Sequence, residues 1–350
     1  LEYAAFGMID VPVQNQPISR RRLVQTGGAA SFLAACSERE WTPDPNHAPD
    51  KFSHGPTDYT IDTADVVVSD GPFQTKFAPH FGQFEDSAGP DLVDQLKFAA
   101  DQGFRAWEDN FMPRRAPQDQ DRLARAMDDF GIEMGVFVVG DRQGWGKPTL
   151  TTGDESAVEA FLEQIDTGIA CAERVGAKQM TVLPGQYTPG LRRQYQMANV
   201  VEALRPACDR LAPHGLSMVL EPINTKVDFP PVFLDQTYDA YLICKALDRP
   251  ECGLLFDVYH QQIMAGNILR DMDACWDKIT YFQLGDHPNR NGPGTGEINF
   301  STVLQHIAAK GFDGIIGMEH GVNTDDAAGE GQMIARYRRL DALMSIARQA

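Results

Sequence analysis

The sequence has no apolar run of about 18 residues, which is the length that a membrane-spanning helix requires. It is also short of positive charge, because 31 Lys and Arg stand against 49 Asp and Glu, a formal net charge of −18 at pH 7. A phosphate backbone would be repelled by this charge, so the composition argues against nucleic acid as a partner. The six cysteines include no C-x-x-C pair, which argues against a disulfide framework and favours buried thiols.

Residues 1–36 have the pattern of an export signal. The run Ser19-Arg20-Arg21-Arg22-Leu23-Val24 precedes a Gly- and Ala-rich stretch that ends in Leu33-Ala34-Ala35-Cys36. This resembles a twin-arginine signal peptide that ends in a lipobox, in which cleavage before Cys36 leaves a cysteine for lipidation. We therefore predict export to the periplasm, with membrane attachment through lipidated Cys36 or ordinary cleavage near Ala35 as the alternatives. A chance arginine cluster on an amphipathic helix is the competing interpretation.

The rest of the chain divides into a linker and one domain. Residues 37–70 are rich in Pro, Asp, Ser and Thr and show little periodicity, which predicts a flexible linker. From residue 71 to residue 350, short apolar segments alternate with amphipathic ones. The predicted strands are Lys76–His80, Phe104–Glu108, Glu133–Val139, Gln179–Leu183, Ser217–Glu221, Gly253–Asp257, Thr280–Leu284 and Gly314–Glu319. The predicted helices include Asp91–Gln102, Asp119–Phe130, Glu155–Val175, Leu191–Ala212, Asp235–Leu247 and Ser301–Lys310.

Eight strand and helix units predict an α/β fold of the (β/α)8 TIM barrel type, which typically takes about 250 residues. The competing architecture is an open, doubly wound sheet. That fold would require a Gly-rich turn directly after the first strand, and Phe81-Gly82-Gln83-Phe84 does not provide one. The barrel is therefore the predicted architecture.

Four successive predicted strands carry oxygen-bearing side chains at or beside their carboxyl ends. Glu221, Asp257 and Glu319 end their strands, and Gln283 lies beside the turn that follows the seventh strand. Strand ends in a barrel converge on one mouth, so these side chains are predicted to share a common space. Three carboxylates at such range repel one another unless a cation or protons intervene. Because all the donors are oxygens, Mg²⁺ or Mn²⁺ is favoured over Zn²⁺. The alternative for each acid is a helix cap or an ion pair at the rim.

The second half of the chain resembles a known family. The segments that carry the resemblance are Glu221-Pro222-Ile223-Asn224, Asp257-Val258-Tyr259-His260, Phe282-Gln283-Leu284-Gly285-Asp286, Gly292-Pro293-Gly294-Thr295-Gly296-Glu297-Ile298-Asn299 and Gly317-Met318-Glu319-His320. They resemble the hydroxypyruvate isomerase family of the xylose-isomerase-like barrel superfamily, which also contains ketose 3-epimerases. The specific match runs from about Ser217 to Glu319. Upstream, only Gly103-Phe104-Arg105-Ala106-Trp107-Glu108 is similar to the family.

The resemblance implies that Glu221, Asp257, Gln283 and Glu319 bind a divalent metal ion. It also implies that Glu221 and Glu319 are catalytic and transfer protons, without deciding which one is the base. The implied reaction is the isomerisation of hydroxypyruvate to tartronate semialdehyde through an enediolate, for which a metal polarises the two substrate oxygens. Gln283 matches the hydroxypyruvate isomerase pattern, whereas ketose 3-epimerases typically have His at this position.

Four further side chains are predicted to bind the substrate. His260 lies three residues after Asp257, and Arg290 stands in the loop after the seventh strand, where a guanidinium could hold a carboxylate with two hydrogen bonds. Glu108 and His80 close the second and first predicted strands and could line the pocket. The alternative for these two residues is a packed, hydrogen-bonded role, and for Arg290 it is an ion pair in the loop.

Several other functions are compatible with parts of the pattern. A ketose 3-epimerase or an enzyme acting on 3-keto sugars would use the same chemistry, and the predicted export favours it. A non-catalytic sugar-binding lipoprotein would not require two opposed glutamates, so the presence of Glu221 and Glu319 argues against this function. A DNA-repair endonuclease of this superfamily would require a His-rich zinc site and a cationic groove, which eight His and the acidic composition do not favour. The predicted partner is a small hydroxy-carbonyl or sugar substrate, and assembly into a homo-oligomer is left open.

Overall fold

The computed structural model describes residues 66–139, 146–322, 324 and 326–349. Eight strands alternate with helices in this part of the chain, one strand in each predicted place. The strands are β1 Lys76–Ala78, β2 Ala106–Trp107, β3 Glu133–Met134, β4 Gln179–Val182, β5 Ser217–Leu220, β6 Cys252–Asp257, β7 Ile279–Gln283 and β8 Ile315–Gly317. The α-helices are α1 Glu85–Ala88, α2 Leu92–Asp101, α3 Pro117–Phe130, α4 Glu155–Val175, α5 Arg193–Leu211, α6 Thr237–Leu247, α7 Val258–Met264, α8 Ile268–Cys275, α9 Phe300–Ala309 and α10 Ala327–Ala347.

The strands form a closed ring. Parallel pairing joins six of them in the order β1-β8-β7-β6-β5-β4, and β2 pairs with β3. Hydrogen bonds just beyond the strand ends join the two sheets. The Glu108 amide donates to the Pro79 carbonyl at 2.9 Å between β1 and β2, and the Thr181 amide donates to the Phe137 carbonyl at 2.8 Å between β3 and β4. The predicted (β/α)8 TIM barrel is therefore confirmed.

Local sequence explains where the helices begin and end. Asp91 caps the start of α2, where its side chain accepts the Val93 amide at 2.8 Å. Helix α3 begins two residues earlier than predicted, at Pro117, because the first turn of a helix does not need the amide hydrogen that proline lacks. Gly131 and Gly176 end α3 and α4 in the left-handed conformation, with φ of 68° and 74°, which is easiest for glycine.

Seven of the eight strands, all but β6, are shorter than predicted at their carboxyl ends. β1 stops at Ala78 because Pro79 has no amide hydrogen to donate to a neighbouring strand. The residues left outside the ladders include His80, Glu221 and Glu319, whose backbones already belong to the loops at the mouth. These predicted site residues therefore stand on the rim, whereas Asp257 and Gln283 are the last residues of β6 and β7.

The core has two layers. A small cluster takes one buried residue from each of seven strands or their immediate extensions, namely Ala78, Ala106, Val136, Val219, Leu255, Tyr281 and Ile315. A much larger cluster lies between the strands and the surrounding helices. Strand side chains alternate between these two layers, as barrel geometry requires. The barrel is thus a packed support on which the mouth residues are held.

Some predictions lie outside the described residues, including the twin-arginine signal, Cys36 and most of the linker at 37–70. In the described part of the chain, none of the helices combines the length and apolar character that a membrane crossing needs. Five of the six cysteines fall in this part, and all five are buried thiols.

Candidate metal and active site

The predicted metal ligands lie together at the carboxyl ends of four neighbouring strands. Asp257 and Gln283 are the last residues of β6 and β7 and face each other in the ladder register. Glu221 directly follows β5, and Glu319 lies two residues after β8. Because β5, β6, β7 and β8 are consecutive in the ring, their ends bring all four side chains to one side of the mouth.

Glu221, Asp257 and His260 form the tightest group. Each of these buried residues offers one ligand atom, and the three atoms lie within 4.8 Å of one another. His260 Nε2 is 3.7 Å from both Glu221 Oε1 and Asp257 Oδ2. The geometry is that of a site able to hold a cation between the two carboxylates.

The protonation of His260 follows from its second ring nitrogen. Nδ1 lies 2.8 Å from Asn224 Nδ2 and accepts the Asn224 backbone amide at 3.2 Å. Since both neighbours are N–H donors, Nδ1 is the acceptor and the single ring proton sits on Nε2. Burial, assisted by Arg290, lowers the pKa of His260 well below its usual range. His260 is therefore a neutral side chain that presents an N–H donor to the carboxylates.

Asp257 serves both the helix and the site. Its Oδ1 caps α7 by accepting the backbone amides of Tyr259 at 2.7 Å and His260 at 3.2 Å. Its Oδ2 accepts a hydrogen bond from Arg290 at 3.0 Å. Burial raises the pKa of Asp257 to about 7, with Glu319 adding to the shift and Arg290 opposing it.

The two glutamates have different surroundings. Glu319 accepts hydrogen bonds at both oxygens, from Asn110 Nδ2 at 2.9 Å and from Arg290 Nη2 at 2.9 Å. Glu221 receives no hydrogen bond from the described residues, and His260 only approaches it to 3.7 Å. Burial raises the pKa of Glu221 well above its usual range, and the Glu319 and Asp257 carboxylates add to this effect. A carboxylate that is buried, crowded and short of donors is what a bound cation would stabilise.

An unpaired oxygen on Gln283 tests whether the residues fit a metal ion. Gln283 Nε2 donates to Glu108 Oε1 at 2.6 Å, whereas Gln283 Oε1 is buried and has no hydrogen-bond partner among the described residues. A buried carbonyl oxygen without a partner costs about 1–3 kcal/mol. The oxygens of Glu221, Asp257, Gln283 and Glu319 are the donor type that a hard divalent cation prefers, and Glu221 and Asp257 are the two of them in the group of ligand atoms within 4.8 Å. The residue types therefore fit such a cation.

Arg290 lies within the site rather than on the loop surface. Besides its hydrogen bonds to Asp257 and Glu319, its guanidinium lies over the Tyr259 ring, 4.9 Å from the centroid, and Nε donates to the Glu319 carbonyl at 3.2 Å. Burial opposes its charge, but the Glu319 and Asp257 carboxylates outweigh burial and raise the pKa of Arg290. The predicted substrate-binding guanidinium is thus held beside the predicted metal ligands, and its contact with substrate stays a prediction.

The glycine-rich run after β7 wraps around a carboxylate of this same chain. The backbone amides of residues 294–296 donate to Asp286 Oδ2 at 2.8–3.0 Å, and the Ile298 amide donates to Oδ1 at 3.1 Å. A Cβ atom at Gly296 would overlap the His287 carbonyl oxygen, so only glycine fits there. This arrangement agrees with a shaped loop at the mouth, and the same loop carries the guanidinium described above.

His80 and Glu108 lie below the ligand group, 6% and 0% exposed. Glu108 accepts the Tyr281 hydroxyl at Oε2 at 2.7 Å and the Gln283 amide at Oε1. His80 Nε2 is 3.1 Å from Glu108 Oε1. Burial lowers the pKa of His80, but Glu108 outweighs burial and the net shift is upward. Direct contact of either residue with substrate stays a prediction.

Three site residues were missed by the sequence reasoning: Asn110, Asn224 and Tyr281. Two of them carried a usable signal. Asn224 stands in the motif that begins at Glu221, and Tyr281 lies two residues before Gln283 on the same face of β7. Asn110 had no such signal, because it reaches Glu319 across 209 residues of chain.

Comparison with known proteins places the chain among isomerases. The putative hydroxypyruvate isomerase of Mus musculus is 29% identical over 246 residues, which cover 69% of this chain and 87% of that protein. The 2-oxo-tetronate isomerase of Pectobacterium atrosepticum is 29% identical over 250 residues, 68% of this chain and 90% of that protein. The crystal structure of AP endonuclease, family 2 from Brucella melitensis shares the fold, with a TM-score of 0.66 at 24% identity over 75% of this chain and 99% of that one.

Similarity to these two enzymes identifies the chain as an isomerase, and the solved structure has the same barrel fold as this protein. The sequence model of the xylose isomerase-like TIM barrel family matches residues 96–339, which is more than half of the chain. The protein belongs to the xylose isomerase-like TIM barrel family.

Proposed function

We propose that the protein is a metal-dependent isomerase of the hydroxypyruvate type, which converts hydroxypyruvate to tartronate semialdehyde through an enediolate. The observation that carries the proposal is the convergence of Glu221, Asp257 and Glu319 with the unpaired Gln283 oxygen at one side of the barrel mouth. Similarity to proteins named hydroxypyruvate isomerase supports the substrate class.

Glu221, Asp257, Gln283 and Glu319 would hold the metal ion, for which we propose Mn²⁺ or Mg²⁺. When bound, the ion supplies Lewis-acid polarisation of the two substrate oxygens, which acidifies the neighbouring C–H bond. The all-oxygen donor set supports these two metals, since Zn²⁺ prefers nitrogen and sulfur ligands.

The reaction moves one proton from C3 of hydroxypyruvate to C2, while a second proton passes between the two oxygens. Glu221 and Glu319 are the proposed proton carriers, because they are carboxylates on well-separated strands of the same mouth. His260 is placed to donate its Nε2 proton to the negative charge that develops on a substrate oxygen. Arg290 is the proposed partner of the substrate carboxylate, which a guanidinium can bind through two hydrogen bonds.

The alternative is the same chemistry on a different substrate. The similarity to a 2-oxo-tetronate isomerase is as strong as that to the hydroxypyruvate enzyme, so a longer hydroxy-carbonyl acid is the second candidate. A ketose 3-epimerase or a 3-keto-sugar enzyme would also use two glutamates and a metal. Gln283 supports the first proposal, since ketose 3-epimerases typically have His at this position.

A substrate panel tests the proposal directly. The Mn²⁺-loaded protein is incubated in ²H₂O with hydroxypyruvate, 2-oxo-tetronate, ketoses and 3-keto glycosides, and products and ²H incorporation are followed by NMR. We expect hydroxypyruvate to be converted with exchange at the reacting carbon. Turnover of only another member of the panel would replace the substrate, and the absence of exchange with every substrate and either metal would contradict the isomerase mechanism.

We also propose that residues 1–36 direct export by the twin-arginine route. The support is the coincidence of the arginine cluster with the Leu33–Cys36 pattern. A fusion of residues 1–70 to a reporter that folds before export should appear in the periplasm, and replacing Arg20, Arg21 and Arg22 with Lys should retain it in the cytoplasm. Cys36→Ala should release the fusion from membranes if Cys36 is lipidated.

A further inference from the structure

We infer that Glu108 is a positioning residue that fixes which end of the Gln283 side-chain amide faces the metal ion. It holds the amide nitrogen and so leaves the amide oxygen as the ligand. The inference rests on the proposed function, because it presumes that Gln283 is a metal ligand. It assigns to Glu108 a role that acts through another side chain.

The need for such a residue comes from the shape of glutamine. The two ends of a side-chain amide are nearly equal in size, but one end only donates hydrogen bonds and the other only accepts them. A cation can be bound by the oxygen and is repelled by the NH₂ group. The surroundings of Gln283 must therefore decide the orientation, or the ligand would be lost in part of the population.

Glu108 sets the orientation of the Gln283 amide. Its Oε1 accepts from Gln283 Nε2 at 2.6 Å, and its side chain is fully buried. Oε1 takes the amide nitrogen as its donor in this contact, whereas the flipped amide would put two oxygens against each other. Gln283 Oε1 is then left buried and without a hydrogen-bond partner in the described part of the chain.

Glu108 is itself held by a hydrogen bond at its second oxygen. The Tyr281 hydroxyl donates to Oε2 at 2.7 Å, and His80 Nε2 lies 3.1 Å from Oε1. A carboxylate with both oxygens engaged cannot rotate away from Gln283 without losing a buried hydrogen bond. The orientation imposed on the amide is therefore a fixed property of the barrel.

Two glycines provide the space for this arrangement. A Cβ atom at Gly317 on β8 would overlap Glu108 Oε2, and one at Gly135 would lie 2.5 Å from the Tyr281 hydroxyl oxygen. Neither glycine has a positive φ, so a turn does not explain them. Their lack of side chains makes room for the Glu108 and Tyr281 pair inside an otherwise filled barrel.

The experiment measures Mn²⁺ binding by calorimetry and by the electron paramagnetic resonance of free Mn²⁺, on the whole protein and without reference to turnover. Glu108→Gln keeps the size of the side chain but can face Gln283 with either end, so we expect Mn²⁺ to bind about 10-fold more weakly, in the range typical of lost outer-shell contacts. Glu108→Met, which removes the acceptor and adds no donor, should weaken binding at least as much. Thermal melts confirm that each variant is folded.

Two further variants separate positioning from a merely structural role. Tyr281→Phe is the matched comparison, because it loosens the support of Glu108 at Oε2 but keeps the Oε1 contact with Gln283. It should therefore weaken Mn²⁺ binding less than Glu108→Gln does. In a Gln283→Ala background, Glu108→Gln should cause no further loss, because its effect passes through the missing amide.

The inference is overturned if Glu108→Gln and Glu108→Met bind Mn²⁺ like the wild-type protein. It is also overturned if Glu108→Gln weakens binding equally with and without Gln283. Failure of the wild-type protein to bind Mn²⁺ or Mg²⁺ would instead remove the proposed metal-dependent function, and the role of Glu108 with it.

Discussion

Buried carboxylates occupy two regions of this molecule under opposite conditions. On α10, Glu330 and Asp341 are 1% and 8% exposed, and each accepts two backbone amides. The donors are Asp86 and Ser87 for Glu330, and Gln74 and Thr75 for Asp341. At the mouth, Glu221 is equally buried, receives no hydrogen bond from the described residues and lies beside two other carboxylates. Burial alone therefore does not distinguish the acids of the proposed site from the structural acids of this molecule. The lack of hydrogen-bond donors among the described residues does distinguish Glu221 from the structural acids.

The two regions differ in how the cost of burying a carboxyl group is offset. Backbone amides replace the water that a buried carboxylate loses, and through these hydrogen bonds Glu330 and Asp341 join α10 to the start of the barrel. At Glu221, desolvation and repulsion by Glu319 and Asp257 are not balanced by donors, and its pKa is raised. The proposed cation would supply the missing compensation.

The same Glu→Gln change in both regions should give opposite results. In Glu221→Gln we expect the isomerisation rate to fall by about 10³-fold, in the range for loss of a proton-transferring group. The metal-free protein should be as stable as the wild type or more stable, because a neutral amide is buried beside the other carboxylates at a smaller cost than a carboxyl group is. NMR assays in ²H₂O and thermal melts measure the two effects.

Glu330→Gln is the control for that experiment. It should lower the stability and leave the catalytic rate nearly unchanged, since it weakens two amide contacts that involve none of the proposed metal ligands. An equal loss of stability in the two variants would erase the distinction between the regions.

Removal of Asp286 should produce the next largest effect. Asp286→Ala leaves four backbone amides without their acceptor, and we expect a loss of about 3 kcal/mol in the free energy of unfolding, since solvent compensates only some of them. Activity should fall as well, because the freed loop carries Arg290. Denaturant unfolding measures the loss. Thr295→Val is the control, because it removes one hydroxyl and keeps the backbone amide, and a similar loss in this variant would contradict the role of Asp286.

A metal ion should stabilise the folded protein only by binding at the mouth of the barrel. At a Mn²⁺ concentration 100 times the dissociation constant, mass action predicts about 2.7 kcal/mol of added stability. Glu221→Gln should lose most of this increment, and Asp341→Asn should keep it. Thermal melts with chelator and with Mn²⁺ measure the difference, and an unchanged increment in Glu221→Gln would show that the ion binds elsewhere.

The smallest effect is expected for Asp341→Asn. One oxygen can still accept an amide, but the new NH₂ group faces the other donor, so the stability should fall by about 1–2 kcal/mol. The rate should not change. Chemical denaturation with a parallel activity assay checks both, and a loss of activity without a loss of stability would connect α10 to the site.

The sequence reasoning succeeded where the signal is local. Asp257 and Gln283 were located because each lies at or beside the end of an apolar strand, and the eight alternating segments indicated the barrel. It failed to find contacts between distant segments, such as Asn110 with Glu319 and Tyr281 with Glu108, which are 209 and 173 residues apart. Hydrophobic periodicity shows which side chains share a face but not which donors reach them across the ring.

Local periodicity and residue type are enough to predict the order of strands and helices, the strand ends that carry carboxylates and the acidic surface. Which buried acids receive hydrogen bonds, and which end of the Gln283 amide is left without a partner, depends on the folded ring. The reason is that charge compensation depends on donors from other strands, and those donors come within reach only when the ring closes.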